Sequence, residues 1–242
     1  MKVSLHWLKR FVDFDLNATQ LADQLTMRGF ESEVVTDFNS LDNVVVGDVL
    51  SAQKHPDADK LKLCTVSDGN EEFSVVCGAP NVDKGQKIVF AKVGAILPGD
   101  FKIGKAKIRG VESFGMICSE KELGISEEHD GIMVLDNDAK TGSSIKDILG
   151  PIYNAIDIEV TPDKAFALSH RGIAREVAAM LGTTLKTPLS VTELSSNTKD
   201  NISIELDKKS GCTRYMAGVM KGVKVGPSPK WLADYLKSVG QK

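Results

Sequence analysis

Seven cations stand within residues 84–109: Lys84, Lys87, Lys92, Lys102, Lys105, Lys107 and Arg109. Asp100 is the one acid among them, so the stretch carries an excess of six positive charges. Residues 110–150 reverse the sign, with three cations against nine acids. Lys102, Lys105, Lys107 and Arg109 set several cations along one strand or turn, an arrangement suited to phosphate oxygens. An ordinary solvated face has the same composition, and both readings stay open. Stacking surfaces for unpaired bases are thin in this region, with Phe90, Phe101 and Phe114 its aromatic residues.

Other chemistry is harder to find. Ser169 and His170 adjoin at a helix start, where the serine reads as an N-cap, because a nucleophile needs a base and an oxyanion hole. No G-x-x-x-x-G-K-[ST] loop and no G-x-G-x-x-G after a strand offers a nucleotide cradle. Cys64, Cys77, Cys118 and Cys212 show neither a C-x-x-C pair nor a histidine at zinc-ligand spacing, and read as reduced thiols. The net charge of −3 excludes a chain-wide grip on a polyanion, so any such partner is met locally. Apolar runs are too short for a membrane span, and the reading is of a cytoplasmic protein with no membrane partner.

The elements that must position these residues fall into three groups. The first forty residues read as helices. Ser4 caps a short one, and Asn17 with Gln20 has capping-box form, with Leu16 and Leu21 as its staple and Gly29 as its stop. Residues 33–38 then turn β-rich. From Asn43 short strands alternate with Gly- and Pro-containing turns, arguing a small barrel or sandwich. They cover residues 44–50 (Gly47 a bulge or bend), 61–66, 72–77, 86–93, 102–109 and 108–118. Residues 119–124 read as one capped turn of helix. A period-two segment at 152–160 and a strongly helical one at 169–181 follow. Residues 187–200 read as a linker, 202–206 and 215–223 as strands, and Ser228 with Pro229 as N-cap and first residue of a last helix.

Several blocks taken in order resemble a known family. Val46-Gly47-Asp48-Val49, His55-Pro56-Asp57-Ala58-Asp59-Lys60-Leu61, residues 75–82, residues 93–99 and the run I-R-G-V-E-S-F-G-M-I-C-S at 108–119 resemble the tRNA-binding oligonucleotide-binding (OB) barrel of several aminoacyl-tRNA synthetases and free-standing tRNA-binding proteins. Flanking motifs make the resemblance more specific. Ser4-Leu5-His6-Trp7-Leu8, Leu25-Thr26-Met27-Arg28-Gly29-Phe30-Glu31, Glu159-Val160-Thr161-Pro162, the run at 168–176, Arg214-Tyr215 and the run at 221–232 are similar to the N-terminal third of the bacterial phenylalanyl-tRNA synthetase beta subunit. One departure is local: where that family has Asn-Arg-x-Asp, this chain has Asp163, Lys164, Ala165 and Phe166.

The resemblance implies an α+β architecture. A small OB-fold β-barrel (40–151) is inserted in a discontinuous helical domain with a small sheet (1–39 and 152–190). A truncated start of an α/β editing domain (200–242) follows. The segments at 33–38 and 156–160, on either side of the barrel, are expected to pair antiparallel. The chain is expected to be a fragment that leaves a sheet edge and a helix face without their partners. For the parent it implies phenylalanine–tRNA ligation with ATP and magnesium, and an alpha subunit in an α2β2 heterotetramer carrying the active site. The fragment itself is expected to hold no cofactor and no catalytic residue, and to serve tRNA(Phe) binding and subunit assembly. A free-standing tRNA-binding or scaffold protein is the alternative. Within the barrel the expected tRNA contacts are the seven cations together with His55, Ser113 and Met116. His55 also reads as a turn cap, and Ser113 and Met116 also read as core-facing.

Overall fold

The computed structural model describes residues 1–127, 130–187, 203–217, 219 and 221–241. It begins with β1 (Lys2–Ser4), α1 (Leu5–Leu8), α2 (Ala18–Thr26) and β2 (Ser32–Thr36). Four longer strands follow: β3 (Val44–His55), β4 (Ala58–Ser67), β5 (Glu72–Cys77) and β6 (Lys87–Ala91). Five short ones succeed them: β7 (Ile96–Leu97), β8 (Phe101–Lys102), β9 (Ala106–Ile108), β10 (Val111–Ser113) and β11 (Met116–Ile117). The chain returns through α3 (Ile145–Ile148), α4 (Gly150–Tyr153), β12 (Ala155–Ile158) and α5 (His170–Leu181), and α6 (Lys230–Ser238) is the last helix.

Two segments far apart in sequence meet in a three-stranded antiparallel sheet of order β1-β12-β2. Ile156 faces Val34 on one side and Val3 on the other. The pairing of the two period-two segments is therefore present, and a third strand, β1, flanks it. Sequence reading began the chain with a helix and missed β1, which is three residues long and leads straight into α1. Ser4 ends the strand and caps the helix, its Oγ accepting the Trp7 N–H at 3.3 Å. Helix α2 opens on the expected capping box, with Gln20 N–H to Asn17 Oδ1 at 2.8 Å and Asn17 N–H to Gln20 Oε1 at 3.1 Å. Leu8, Leu21, Leu25, Ile156, Ile173 and Val177 close one core between these elements.

The second unit is a five-stranded antiparallel sheet of order β11-β6-β3-β4-β5. Its two edges are drawn together by the Phe114 N–H donating to Ser74 O (2.9 Å) and the Val76 N–H donating to Ser113 Oγ (3.1 Å). The bulge expected at Gly47 lies further on, between Val49 and Ser51, whereas Gly47 pairs in regular register with Ile88. Gly47 is small for packing: a Cβ there would stand 2.7 Å from Val66 Cγ1. The strands expected at 102–109 and 108–118 are broken into β8 to β11. Residues 119–124 form a hydrogen-bonded turn with no full helical turn.

The chain crosses between the two units at residues 36–38 and 149–154. Asn154 fastens the crossing, its Oδ1 accepting the Phe38 N–H (2.9 Å) and its carbonyl accepting the Leu5 N–H (3.0 Å). Helix α6 lies against both units. Tyr235 packs on Trp7 at 5.3 Å, Asp234 accepts from the Tyr153 hydroxyl at 2.8 Å, and Lys237 pairs with Glu120 at 2.6 Å. It starts one residue later than expected, with Pro229 as the cap. The strands expected at 202–206 and 215–223 are absent among the described residues of those ranges. The expected linker lies outside the described residues from 188 onward. The departing loop is 3-10 helical (Pro162–Ala167), and Lys164 bonds Gly29 O and stands 4.4 Å from the Phe30 ring centre.

His170 gives this architecture a pH dependence. Its Nε2 accepts the Ser4 N–H at 3.1 Å, and its ring stacks on Trp7 with centroids 4.5 Å apart. Only the neutral imidazole can accept that proton, and burial lowers the pKa from 6.5 to about 4. The unfolded chain therefore takes up a proton before the folded chain does. Stability present above about pH 6.5 is lost as pH falls toward 4. Urea unfolding at pH 7, 5 and 4 is expected to show a loss on the order of 2 kcal/mol from this group. His170→Gln, less stable at pH 7, is expected to show a shallower decline across the same window.

Candidate nucleic-acid interface

The run 108–119 is folded around two glycines. Arg109 (φ +48°) and Gly110 (φ +87°) form the two-residue turn of the β9–β10 hairpin, whose flanking residues Ile108 and Val111 pair. Positive φ at both positions is the type I′ signature, which matches the twist of the strands. Gly115 (φ +134°) lets the backbone press on β6, where a Cβ would lie 2.6 Å from both Ala91 O and Phe90 Cε2. The hairpin therefore stands over the end of β5. A groove of about 580 Å³ opens between them, with Val76, Ile103, Ile108, Met116, Ile117 and Ile132 among its apolar walls.

Four expected contact residues line this groove: Lys102, Lys105, Ser113 and Met116. Lys105 is held in place, its Nζ 2.9 Å from Glu112 and 4.7 Å from the centre of the Phe114 ring. Ser113 is 2 % exposed, and its hydroxyl is occupied by the Val76 N–H and the Gly115 carbonyl, so it shapes the wall more than it offers a contact. Met116 is half-buried in the wall. Lys107 alternates away from Ala106 and Ile108, which face the groove, whereas Arg109 stands at the hairpin turn. Lys84 is exposed in the turn before β6, away from the groove. Lys84, Lys102, Lys107 and Arg109 form no ion pair among the described residues.

The remaining expected contacts have internal work. Lys87 donates to Asp48 and to Thr141 Oγ1, both at 2.7 Å, tying β6 to β3 and to the loop before α3. Lys92 donates to Asp68 at 2.5 Å and stands 5.3 Å from the Phe73 ring centre. The Lys92 hydrogen bond, with help from the Glu71 and Asn70 N–H groups and against the effect of burial, holds the Asp68 carboxyl at about 2. His55 is 2 % exposed, and its Nδ1 accepts the Asp57 N–H at 3.1 Å. It serves the β3–β4 turn and has almost no surface with which to meet RNA.

Sequence reading missed three cations. Lys54, Lys60 and Lys62 border a second groove, of about 670 Å³, that shares Gly78, Ala79 and Pro80 with the first. Lys60 is exposed and without an ion pair among the described residues, Lys54 pairs with Asp59 at 2.8 Å, and Lys62 donates to Val82 O at 2.6 Å. Their signal in the sequence is diluted by Asp57 and Asp59, and the pairing of β4 with β5 brings them to the residues that their groove shares with that of Lys102 and Lys105. The result is one surface, with cations on both flanks of Pro80 and the acids Glu122 and Asp130 at one wall.

Ser169 and His170 do not form a nucleophile pair. Ser169 Oγ accepts the Gly172 N–H at 2.9 Å as a helix cap, and His170 is engaged with Ser4. Burial raises the thiol of Cys64 to about 11 and raises those of Cys77 and Cys118, so all three stay protonated. Among the described residues no group of three or more His, Cys, Asp or Glu is arranged to hold a metal ion.

The two glycines of the hairpin make a differential prediction. Gly115→Ala forces backbone and the Phe90 ring apart and is expected to cost about 3 kcal/mol or more. Gly110→Ala, with nothing within 4 Å of its Cβ, is expected to cost about 1 kcal/mol, the conformational share alone. Urea unfolding midpoints of the two variants check the difference.

Comparison with known proteins bears on this surface. The tRNA_bind family model, a tRNA binding domain, matches residues 44–144, which contain both grooves. The "Phenylalanine--tRNA ligase beta subunit" of Syntrophotalea carbinolica is 46% identical over 245 residues, covering 100% of this chain and 30% of that protein. The protein of the same name from Hahella chejuensis is 45% identical over 242 residues, covering 99% of this chain and 30% of that protein. Among solved structures, the MetRS related protein from Pyrococcus horikoshii is 26% identical, covering 42% of this chain and 87% of that one. Its TM-score of 0.33 is too low to carry an argument. The chain spans 30% of the length of the curated relatives it matches. Along its whole length it is similar to the N-terminal region of phenylalanine–tRNA ligase beta subunits, and residues 44–144 match the tRNA binding domain family.

Proposed function

We propose that this chain is the tRNA-docking and assembly region of a phenylalanine–tRNA ligase beta subunit. The parent attaches phenylalanine to tRNA(Phe) using ATP and magnesium, with catalysis on a separate alpha subunit in an α2β2 heterotetramer in the cytoplasm. Residues 40–151 act as an OB-fold tRNA-binding module. Residues 1–39 and 152–190 form the discontinuous domain that carries it, and residues 200–242 open an editing domain. The observation that carries this reading is the overlap of the tRNA-binding match with the surface around Pro80, where Lys60, Lys102 and Lys105 border the two grooves.

The contact set proposed here is Lys60, Lys102, Lys105 and Arg109, with Lys54, Lys84 and Lys107 peripheral. Lys87 and Lys92 are left out because their ammonium groups serve Asp48 and Asp68 in pairs more buried than the exposed pair of Lys105 with Glu112. Carboxylates at the groove wall confine phosphate to the cationic flanks, so roughly two to four phosphates are neutralised. Affinity of the chain alone is weak and strongly salt-dependent, and becomes useful when other modules of the parent hold the same tRNA.

Titration of tRNA(Phe) across a salt series tests this. Replacing Lys60, Lys102, Lys105 and Arg109 together by Ala is expected to weaken binding and to lower the log-affinity versus log-salt slope by about 2 to 3. Lys87→Ala is expected to lower the unfolding midpoint and leave the slope unchanged. Equal affinity and slope for wild type and the fourfold variant would reduce the cationic surface to a solvated face.

A further inference from the structure

The groove beside Lys102 is built unlike a seat for duplex backbone. A phosphate track needs cations and open water, whereas this groove is concave, largely apolar, and carries carboxylates as well as lysines. Phe101 lies on its rim and is 53 % exposed, next to Lys102 on β8 and held in register by Leu97 across the β7–β8 pair. An exposed phenylalanine on a two-residue strand gains nothing from the core. Segment 101–108 supplies aromatic and cations, while Ser119, Glu122 and Asp130 supply the polar part of the wall. Glu122 is fixed there, its Oε2 accepting the Ser119 N–H at 2.6 Å.

We propose that this groove takes one unstacked nucleotide of a single-stranded RNA segment. Its base lies on Phe101, its phosphate meets Lys102 and Lys105, and its exocyclic amine faces the carboxylate wall. The volume of about 580 Å³ lies within the range of small-molecule sites. Charge complementarity selects this occupant. A phosphate alone leaves the apolar walls without a role, and a protein strand leaves Lys102, which forms no ion pair among the described residues, without one. Stacking on an exposed aromatic ring is the sequence-tolerant way to hold an unpaired base, and cations beside it order the backbone. The inference rests on the tRNA-binding reading and narrows it, since unpaired nucleotides rather than helical stems then enter the groove.

The test uses the 242-residue chain with three probes: tRNA(Phe) transcript, a ten-nucleotide single-stranded RNA, and a ten-base-pair RNA duplex. The single strand is expected to compete with tRNA and the duplex to compete poorly. Phe101→Leu, which keeps an apolar rim, is expected to weaken single-strand binding at least about fivefold, and Phe101→Tyr to restore it. The salt slope of Phe101→Leu is expected to match wild type, because no cation is lost. Equal binding by Phe101→Leu and wild type, or a duplex that competes as well as the single strand, overturns the inference while leaving tRNA binding standing. If tRNA fails to bind but Phe101-dependent single-strand binding persists, the tRNA reading falls and the groove assignment holds. Wild type that binds neither probe at low salt overturns both.

Discussion

Strand β12 lies between β1 and β2, and the rest of the molecule depends on that placement. Val3 and Val34 both pair against Ile156, so the chain must leave the small sheet, complete the five-stranded unit and come back before the sheet has its centre. The central strand is buried on one face by α2 and α5 through Leu21, Leu25, Ile173 and Val177, which makes its register costly to shift. Return through a single narrow crossing demands that the ends of the inserted unit lie close together. Asn154 meets that demand by bonding both Phe38 and Leu5. A unit whose ends are so fixed keeps its outer surface at a set angle to the helices below.

On that surface, charge alone does not identify a binding residue. Seven cations in one stretch look equivalent in the sequence, but the sheet divides them. Those on β6 and at its end face carboxylates of β3 and of the β4–β5 turn, and removal of Lys92 leaves the buried Asp68 carboxylate without its cation. Those on β8 and in the following loop face the groove. The division follows from strand alternation and from which strands neighbour β6, and both depend on pairings distant in sequence. Lys60 makes the converse point. It sits among aspartates in the sequence and joins the cationic surface only because β4 runs antiparallel to β5 and brings it beside Pro80.

Local signals were legible where local physics decides. The capping box at Asn17 and Gln20 and the serine caps at Ser4 and Ser169 all stand as read. The pairing of the segments beside the insertion was legible because both alternate and both border the same all-β region. What escaped the reading was short or non-local. Strand β1 has three residues, too few for a period, and exists only as an edge on β12. The run 108–118 alternates like one strand, but positive φ at Arg109 and Gly110 turns it back on itself. The roles of Lys87 and Lys92 depend on partners that no spacing in the sequence specifies, whereas His55 takes the local role of turn cap that it also reads as. Phe101 was one of three aromatics in a region read as thin in stacking surface, since its exposure follows from the pairing of a two-residue strand.

Hydrogen exchange of the backbone amides with and without tRNA(Phe), read by mass spectrometry at low salt, tests the central claim most directly, because it locates contact without altering a residue. Protection is expected in residues 58–62, 76–80 and 101–109, the segments that carry the two grooves. Helices α2 and α5 and the three-stranded sheet are expected to exchange at unchanged rates. Protection confined to those helices or that sheet, or no protection anywhere while tRNA is bound, would contradict the account.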